Sequence, residues 1–167
     1  MSDLARRADL LLAKARDAGM RIVVAESCTA GLLSRLLSDA EGAGLYFAGG
    51  FVVYTKDQKT AALGVPHQML VEKTAVCREV ARAMAEGALA RSAASVAAAI
   101  TGVAGPEPDE DGNPVGRVCI AISRAGQPTR DLELHYGPIG REAIRERAMG
   151  EAVDGLIDTV SAVSAAA

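Results

Sequence analysis

Three short segments of the chain contain residues whose types and spacing could perform nucleophilic chemistry. Ser27 follows a short apolar run and precedes a helical segment, so its hydroxyl and the next backbone N–H groups would form a pocket for an anion or an oxyanion. Tyr54 and Lys59 flank a capping box that begins at Thr55. A buried lysine can lose its proton and act as a base, which an arginine cannot do. The chain has only four lysines beside 14 arginines.

Each of these residues also has an interpretation without catalysis. Ser27 could be a helix N-cap, a contact that contributes about 1 kcal/mol. Cys28 is a rival nucleophile, because a helix N-terminus lowers the pKa of a thiol, or it is a small buried hydrophobe, which we favour. If Thr55 is an N-cap, Tyr54 and Lys59 occupy the two staple positions, which predicts that the ring lies against the lysine stem. A surface lysine over a tyrosine is the alternative.

The third segment, Thr101–Pro106, follows a predicted strand. Gly102 and Gly105 would let the backbone approach a ligand closely there. The spacing fits neither a Walker loop nor a dinucleotide fingerprint, so a plain turn is equally consistent with it. The acidic segment from 107 to 114 lacks the glycine and glutamate positions of a calcium loop, and we interpret it as a solvated loop.

The sequence offers few side chains for a metal site or a histidine-based triad. The three cysteines are far apart and have no CxxC spacing, so we expect reduced thiols and no metal. His135 could pair with Ser27, but it lies in a predicted strand with no evident carboxylate to orient it.

Strands that alternate with helices must position these segments. The predicted helices span 4–18, about 32–39, 55–64, 75–91 and 141–163. The predicted strands span 22–25, 45–54 with Gly49-Gly50 as a bulge or close approach, 95–100, and a hairpin of 116–123 with 129–136. This order predicts a single-domain three-layer α/β/α sandwich with a mixed β-sheet over residues 1–167. Ligands in such sheets lie beyond the carboxyl ends of the strands, where the three segments would meet.

The composition excludes several classes of partner. Half of the residues are apolar and 23% are charged, which is typical of a globular protein. The net charge of −3 argues against nucleic acid and against an anionic membrane surface. A small anionic ligand held by a few local arginines stays possible. No targeting or membrane-spanning segment is visible, so we expect a cytoplasmic protein.

The three segments resemble the motifs of the CinA C-terminal domain family. Residues 25–31 read AESCTAG where the family has AESCTGG. Residues 54–59 read YTKDQK where the family has Tyr-Ser-Asn followed two residues later by Lys. Residues 101–106 read TGVAGP where the family has TGIAGP. The motifs occur in the family's order, and the likeness extends from about residue 5 to 160.

The resemblance implies a nicotinamide-nucleotide amidohydrolase, which converts nicotinamide mononucleotide into nicotinate mononucleotide and ammonia without a cofactor, in a homodimer. It makes Ser27 the nucleophile, Lys59 its base, and Tyr54 the group that orients or relays the proton. The substrate, a small anionic nucleotide, is then expected to contact the other motif residues and two arginines of the last helix. These are Glu26, Cys28, Thr29, Ala30, Gly31, Thr101, Gly102, Gly105, Arg141 and Arg145.

The chain departs from the family pattern at three places. Ala30 replaces a glycine, which is costly if that position needs a positive φ. The acidic run Glu107–Asp111 replaces a glycine-rich stretch and would repel a phosphate. Pro138–Arg141 replaces a Gly-Asp-Arg segment. These departures motivate a second hypothesis, a non-catalytic nucleotide-binding or interaction module of the same fold.

Overall fold

The computed structural model describes residues 2–164 as a five-stranded mixed sheet between two layers of helices. The strands are β1 (Ile22–Glu26), β2 (Phe47–Val52), β3 (Val96–Gly102), β4 (Arg117–Arg124) and β5 (Arg130–His135). The helices are α1 (Asp3–Asp17), α2 (Leu32–Ser38), α3 (Ala43–Tyr46), α4 (Lys56–Leu63), α5 (His67–Lys73), α6 (Arg78–Ala90) and α7 (Arg141–Ser164). The sheet order is β2-β1-β3-β4-β5, in which β1 is parallel to β2 and β3 and the remaining pairs are antiparallel. The predicted three-layer α/β sandwich is confirmed.

Both faces of the sheet are buried, because alternate residues of the central strands point to opposite helix layers. Ile22 and Val24 of β1 pack with α1, α2 and α7. Val23 and Ala25 pack with residues of α4, α5 and α6 on the other face. All five residues of β1 are buried. The end of β1 is therefore a rigid support for the segment that follows it.

The second strand is shorter than predicted. Residues 45 and 46 belong to α3, so the prediction of a strand from Leu45 was wrong. The glycine pair fulfils both predicted roles. The pairing with β1 shifts register just before Gly49, which has a φ of 136°. A Cβ on Gly50 would overlap the Ser34 hydroxyl of α2, so this glycine permits the close approach of the helix.

The segment from 67 to 91 also differs from the prediction of a helix over 75–91. Residues 67–73 form α5, and α6 begins only at Arg78. Thr74 has a φ of 75°, and its hydroxyl oxygen accepts a hydrogen bond from Asn113 Nδ2 at 2.6 Å. The Thr101 hydroxyl donates to the Ala75 carbonyl at 2.8 Å. These tertiary contacts hold residues 74 and 75 outside a helix and against the end of β3.

No helix among residues 2–164 is long and apolar enough to cross a membrane. The same residues contain no group of three or more His, Cys, Asp and Glu side chains that could bind a metal ion. All three cysteines are buried free thiols. Residues 1 and 165–167 of the predicted domain lie outside the described part of the chain.

Candidate active site

A cavity of about 600 Å³ lies where β1, β3 and the start of α4 meet. Its walls include Ser27, Tyr54, Lys59 and Thr101. These residues come from all three predicted segments, so the expectation that the segments meet beyond the carboxyl ends of the strands is confirmed. The volume is in the range of small-molecule sites in proteins.

Ser27 and Lys59 are in direct contact inside this cavity. Lys59 Nζ lies 3.0 Å from Ser27 Oγ and 3.0 Å from the Val53 carbonyl oxygen, and it donates to both. The Lys59 side chain is 1% exposed and Ser27 is 7% exposed. The distance between Nζ and Oγ is within the range in which a base can take a proton from a nucleophile.

Burial determines the protonation of Lys59. Desolvation lowers the pKa of Lys59 from 10.5 to about 8, and the nearby positive charge of Lys56 acts in the same direction. Within residues 2–164, Lys59 forms no ion pair with a carboxylate that would restore the charged form. About a tenth of the amine is therefore neutral at pH 7. The neutral amine can accept the Ser27 proton, because it then has a free lone pair.

The N-cap interpretation of Ser27 was wrong, because the residue before it performs that role. The Glu26 carboxylate is fully buried and accepts from the N–H groups of Gly31, Leu33 and Ser34 at 3.1, 3.0 and 2.7 Å. It also accepts from the Ser34 hydroxyl at 2.6 Å. Glu26 thus satisfies N–H groups at the start of α2. Its expected substrate contact is corrected, because it positions the loop and does not reach the cavity.

Two N–H groups of the loop make no backbone hydrogen bond in the described range, and Cys28, but not Thr29, lines the cavity. The Ser27 N–H donates to the Ile100 carbonyl at 3.0 Å, and the Ala30 N–H donates to the Ser27 carbonyl at 3.1 Å. The N–H groups of Cys28 and Thr29 donate to no group in the described range 2–164. Arg145 Nε donates to the Cys28 carbonyl at 2.7 Å. Because a trans peptide directs its C=O and N–H oppositely, this contact directs the Thr29 N–H away from Arg145.

Two successive residues of the loop adopt left-handed backbone conformations. Ala30 has a φ of 51° and Gly31 a φ of 94°. The position where the family carries glycine thus does require a positive φ, and the alanine at this position is strained. Ala30 lies before α2, which begins only at Leu32, so the replacement of glycine is costly at this position, as the sequence analysis states for a positive φ.

The other candidate nucleophiles are less well placed than Ser27. Cys28 is 5% exposed, and burial raises the pKa of its thiol to about 12, so the thiol stays protonated. The structure therefore favours the packing role of Cys28. His135 lies on the edge strand β5, where Nε2 is 2.9 Å from the Glu133 carboxylate, and it does not line the cavity. His135 thus has a carboxylate partner, Glu133, that the sequence did not reveal, but this pair lies outside the cavity.

Tyr54 lies at the mouth of the cavity and is 61% exposed. Thr55 is the N-cap of α4 as predicted, because its hydroxyl accepts from the Gln58 N–H at 3.2 Å. Over the described range, however, no hydrogen bond joins the Tyr54 phenol to Lys59, whose two acceptors are Ser27 and Val53. The role of Tyr54 in proton transfer stays a prediction.

The two arginines that were expected near a phosphate contact backbone carbonyls. Arg141 donates to the Gly105 carbonyl, and Arg145 donates to the Cys28 carbonyl. Neither lines the cavity. In this structure they position two of the three motif segments, and their contact with a substrate stays a prediction.

The third segment lines the cavity only in part. Thr101 and Gly102 are in its wall, and Gly105 is not. A Cβ on Gly102 would lie 2.8 Å from the Val118 side chain and 2.9 Å from the Arg117 carbonyl, so packing against β4 explains this glycine. A Cβ on Gly105 would lie 2.9 Å from Val115.

The acidic segment is a largely exposed loop, as predicted, and it also forms a wall of the cavity. Asp109 Oδ1 accepts the N–H groups of Asp111 and Asn113 at 3.1 and 2.8 Å. Lys56 Nζ contacts Asp111 at 2.7 Å and Glu110 at 3.2 Å. Sequence reasoning did not identify Lys56 as a cavity residue. The available signal was its position one turn before Lys59 on the same predicted helix.

Residues 4–160 match the model of the CinA C-terminal domain family. A CinA-like protein of Mycolicibacterium gilvum is 46% identical over 133 residues, which cover 78% of this chain and 31% of that protein. The chain spans about a third of the length of the curated relatives it matches.

Two solved structures are similar over nearly their whole length. The competence/damage inducible protein CihA of Agrobacterium tumefaciens is 37% identical with a TM-score of 0.91, and the match covers 95% of this chain and 96% of that one. A CinA superfamily protein from Klebsiella pneumoniae is 28% identical with a TM-score of 0.90, and the match covers 96% of this chain and 99% of that one. These names do not specify a reaction.

Proposed function

Because the chain belongs to the CinA C-terminal domain family, a family that includes amidases, we propose that it hydrolyses a carboxamide through an acyl-enzyme on Ser27. The proposed substrate is nicotinamide mononucleotide, and the products are nicotinate mononucleotide and ammonia. The observation that carries the proposal is the 3.0 Å contact between Lys59 Nζ and Ser27 Oγ in a cavity of suitable size. A homodimer stays a prediction that follows from the same family, and a cytoplasmic location stays a prediction from the sequence.

The chemistry requires three contributions from these residues. Neutral Lys59 takes the proton of Ser27 as Oγ forms a bond to the amide carbon, which gives a tetrahedral oxyanion. The free N–H groups of Cys28 and Thr29 are the donors proposed for this oxyanion. Lys59 then gives its proton to the leaving nitrogen, and the C–N bond breaks to release ammonia. Water cleaves the ester with Lys59 again as base, which restores Ser27 and releases the carboxylic acid.

A second hypothesis, a nucleotide-binding module without turnover, is supported by a specific observation. The strained Ala30 lies in the loop that would form the oxyanion pocket, and a change in that backbone would affect turnover more than binding. The two hypotheses agree on the cavity and differ on whether Ser27 reacts.

The test is ammonia release from purified protein supplied with nicotinamide mononucleotide. The Ser27→Ala and Lys59→Ala variants are compared with Ser38→Ala and Lys73→Ala, which replace the same residue types on the exposed surface. We expect turnover in the parent and in both surface variants and none above background in the two cavity variants. Turnover that survives Ser27→Ala would contradict the acyl-enzyme, and a folded parent without turnover would favour the binding module.

A further inference from the structure

One buried amide joins separate parts of the chain beside the cavity. Asn113 is the single asparagine of the sequence, and it is 5% exposed although most of the acidic segment around it is exposed. Its Nδ2 donates to Thr74 Oγ1 at 2.6 Å and to Asp109 Oδ2 at 2.7 Å, and its Oδ1 accepts from Arg117 at 2.6 Å. The N–H groups and the oxygen of the amide are therefore all used. The carboxylate and the guanidinium determine which end of the amide faces which partner.

The threonine that receives this amide has a strained backbone. Thr74 has a φ of 75° and a ψ of 163°, a combination that is essentially confined to glycine. Such a conformation persists in a residue with a Cβ only where the surrounding contacts impose it. The Thr74 hydroxyl oxygen accepts from Asn113 and from the Val76 N–H, the latter at 3.3 Å. The N–H of Ala75 donates to Asp111 Oδ2 at 3.3 Å. The acidic segment therefore helps to impose the conformation of the strained residue and its neighbours.

Both of the joined segments form part of the cavity wall, whereas Asn113 itself does not. Ala75 and Val76 line the cavity, as do Asp109 and Asp111 of the acidic segment. Asn113 does not line it, so its side chain can affect a bound ligand only through these neighbours. The two segments would be less firmly joined without the amide, and the shape of the wall should then change.

The reactive pair is held by different contacts. The Ser27 N–H donates to the Ile100 carbonyl, and Lys59 donates to Ser27 Oγ and to the Val53 carbonyl. Within the described range 2–164, neither Ser27 nor Lys59 shares a hydrogen bond with Asn113. A change at Asn113 should therefore alter how a substrate fits the cavity and leave the proton transfer between Lys59 and Ser27 largely intact.

We propose that Asn113 is a positioning residue that acts through Thr74 and the acidic segment to set the fit of the cavity wall to the substrate. The proposal rests on the proposed amidase function and assigns to that same site a residue outside its lining. A contact that only holds the wall acts equally on the bound substrate and on the transition state, so its loss raises KM and leaves kcat nearly unchanged. A partly unfolded variant would show the opposite pattern, because fewer active molecules lower the apparent kcat without changing KM.

The experiment measures KM and kcat for ammonia release from nicotinamide mononucleotide in the parent and in substituted proteins. Asn113→Ala removes the buried amide, and Gln127→Ala is its control, because it removes an exposed amide between β4 and β5 that does not line the cavity. Thr74→Ser and Thr74→Ala are a matched pair, because both keep a Cβ at the strained position and differ only in the hydroxyl that receives the amide. Circular dichroism checks the fold of each protein. If Asn113→Ala does not fold, the Thr74 pair decides the proposal.

We expect Asn113→Ala to raise KM about tenfold and Thr74→Ala about threefold, with kcat within about twofold of the parent in both. Thr74→Ser and Gln127→Ala should leave KM unchanged. In the Asn113→Ala background, Thr74→Ala should raise KM less than in the parent, because the contact between the two side chains is already absent. An unchanged KM in Asn113→Ala, or equal KM values in the Thr74 pair, would overturn the proposal and leave the amidase intact.

Binding decides the proposal if the parent releases no ammonia, in which case the proposed function fails. The Kd of nicotinamide mononucleotide is then measured for the parent and the same variants by calorimetry. Weaker binding to Asn113→Ala and Thr74→Ala than to the parent and Thr74→Ser would support the positioning role. Equal binding to all of these proteins, or no binding to the parent, would overturn it.

Discussion

Two lysines one turn apart on α4 have opposite electrostatic environments. Lys56 lies at the cavity mouth, where hydrogen bonds to Asp111 and Glu110 raise its pKa. Lys59 is buried and donates only to uncharged oxygens, and desolvation lowers its pKa to about 8. The residue type and the helix are the same, so the difference comes entirely from burial and partners.

This comparison shows why only one of the two lysines can act as a base. An ammonium that is held by carboxylates stays protonated throughout the physiological range, so Lys56 contributes a fixed charge and a contact to the acidic wall. Lys59 has no such partner in the described part of the chain and can release its proton near neutral pH. The fold gives the two lysines these different protonation states, because α4 directs Lys56 toward solvent and Lys59 toward β1.

The largest expected difference between the two lysines is in turnover. Lys59→Met should lower kcat/KM for ammonia release by about 10²–10⁴-fold, the usual contribution of a general base. Lys56→Met should lower it by less than about tenfold, because that residue contacts no reacting group. The measurement is steady-state kinetics on both variants at pH 8, with circular dichroism to confirm the fold. Equal losses would show that the two lysines are not functionally distinct.

The pH profile sharpens the comparison. Because neutral Lys59 is the reactive form, kcat/KM should rise about tenfold per pH unit below the pKa and reach a plateau above about 8. The positive charge of Lys56 lowers the pKa of Lys59, so Lys56→Met should move the whole profile to higher pH. Lys73→Met is the control and should not move it, because Lys73 is exposed, pairs with Glu79 and does not affect the pKa of Lys59. A parent rate independent of pH between about 6 and 9 would exclude Lys59 as the base.

A smaller effect is expected on stability. The pKa of Lys59 is about 8 in the folded state and about 10.4 in the unfolded state, so unfolding takes up a proton between these values. The buried ammonium therefore destabilises the fold most below pH 8, and this cost decreases as the pH rises toward 10.4. From pH 7 to 9, the free energy of unfolding of the parent should increase by about 1 kcal/mol relative to Lys59→Met. Urea denaturation of both proteins at the two pH values measures this change, and parallel pH dependences would contradict it.

Much of the architecture was predictable because it depends on local patterns. The apolar periodicity of α1 and the capping box at Thr55 specify helices without tertiary information, and both predictions are confirmed within about one residue. The positive φ of residue 74 was not predictable, since it depends on Asn113, which is remote in sequence. Local helix propensity is overridden there by tertiary contacts.

In the site, too, some contacts were predictable from the sequence and others depend on the tertiary structure. The contact between Ser27 and Lys59 followed from motifs at the ends of a strand and a helix, which the fold brings together. The partners of Arg141 and Arg145 did not follow from the sequence, because an arginine near a glycine-rich segment can reach a ligand or a carbonyl. The charge of an arginine does not determine whether it binds a ligand or a carbonyl, because that depends on where the loop carbonyls lie in the fold.

The smallest predicted effect concerns the strained residue of the loop. Ala30 has a φ of 51°, a conformation that costs a residue with a Cβ roughly 1 kcal/mol and costs glycine almost nothing. Ala30→Gly should therefore increase the free energy of unfolding by about 0.5–1 kcal/mol, less than the full strain because glycine gains entropy in the unfolded chain. Gly31→Ala, at a φ of 94°, is the matched reverse change and should destabilise the protein. Urea denaturation at pH 7 measures both. If Ala30→Gly destabilises the protein, the loop does not store backbone strain, and the support for the non-catalytic hypothesis that rests on this residue is lost.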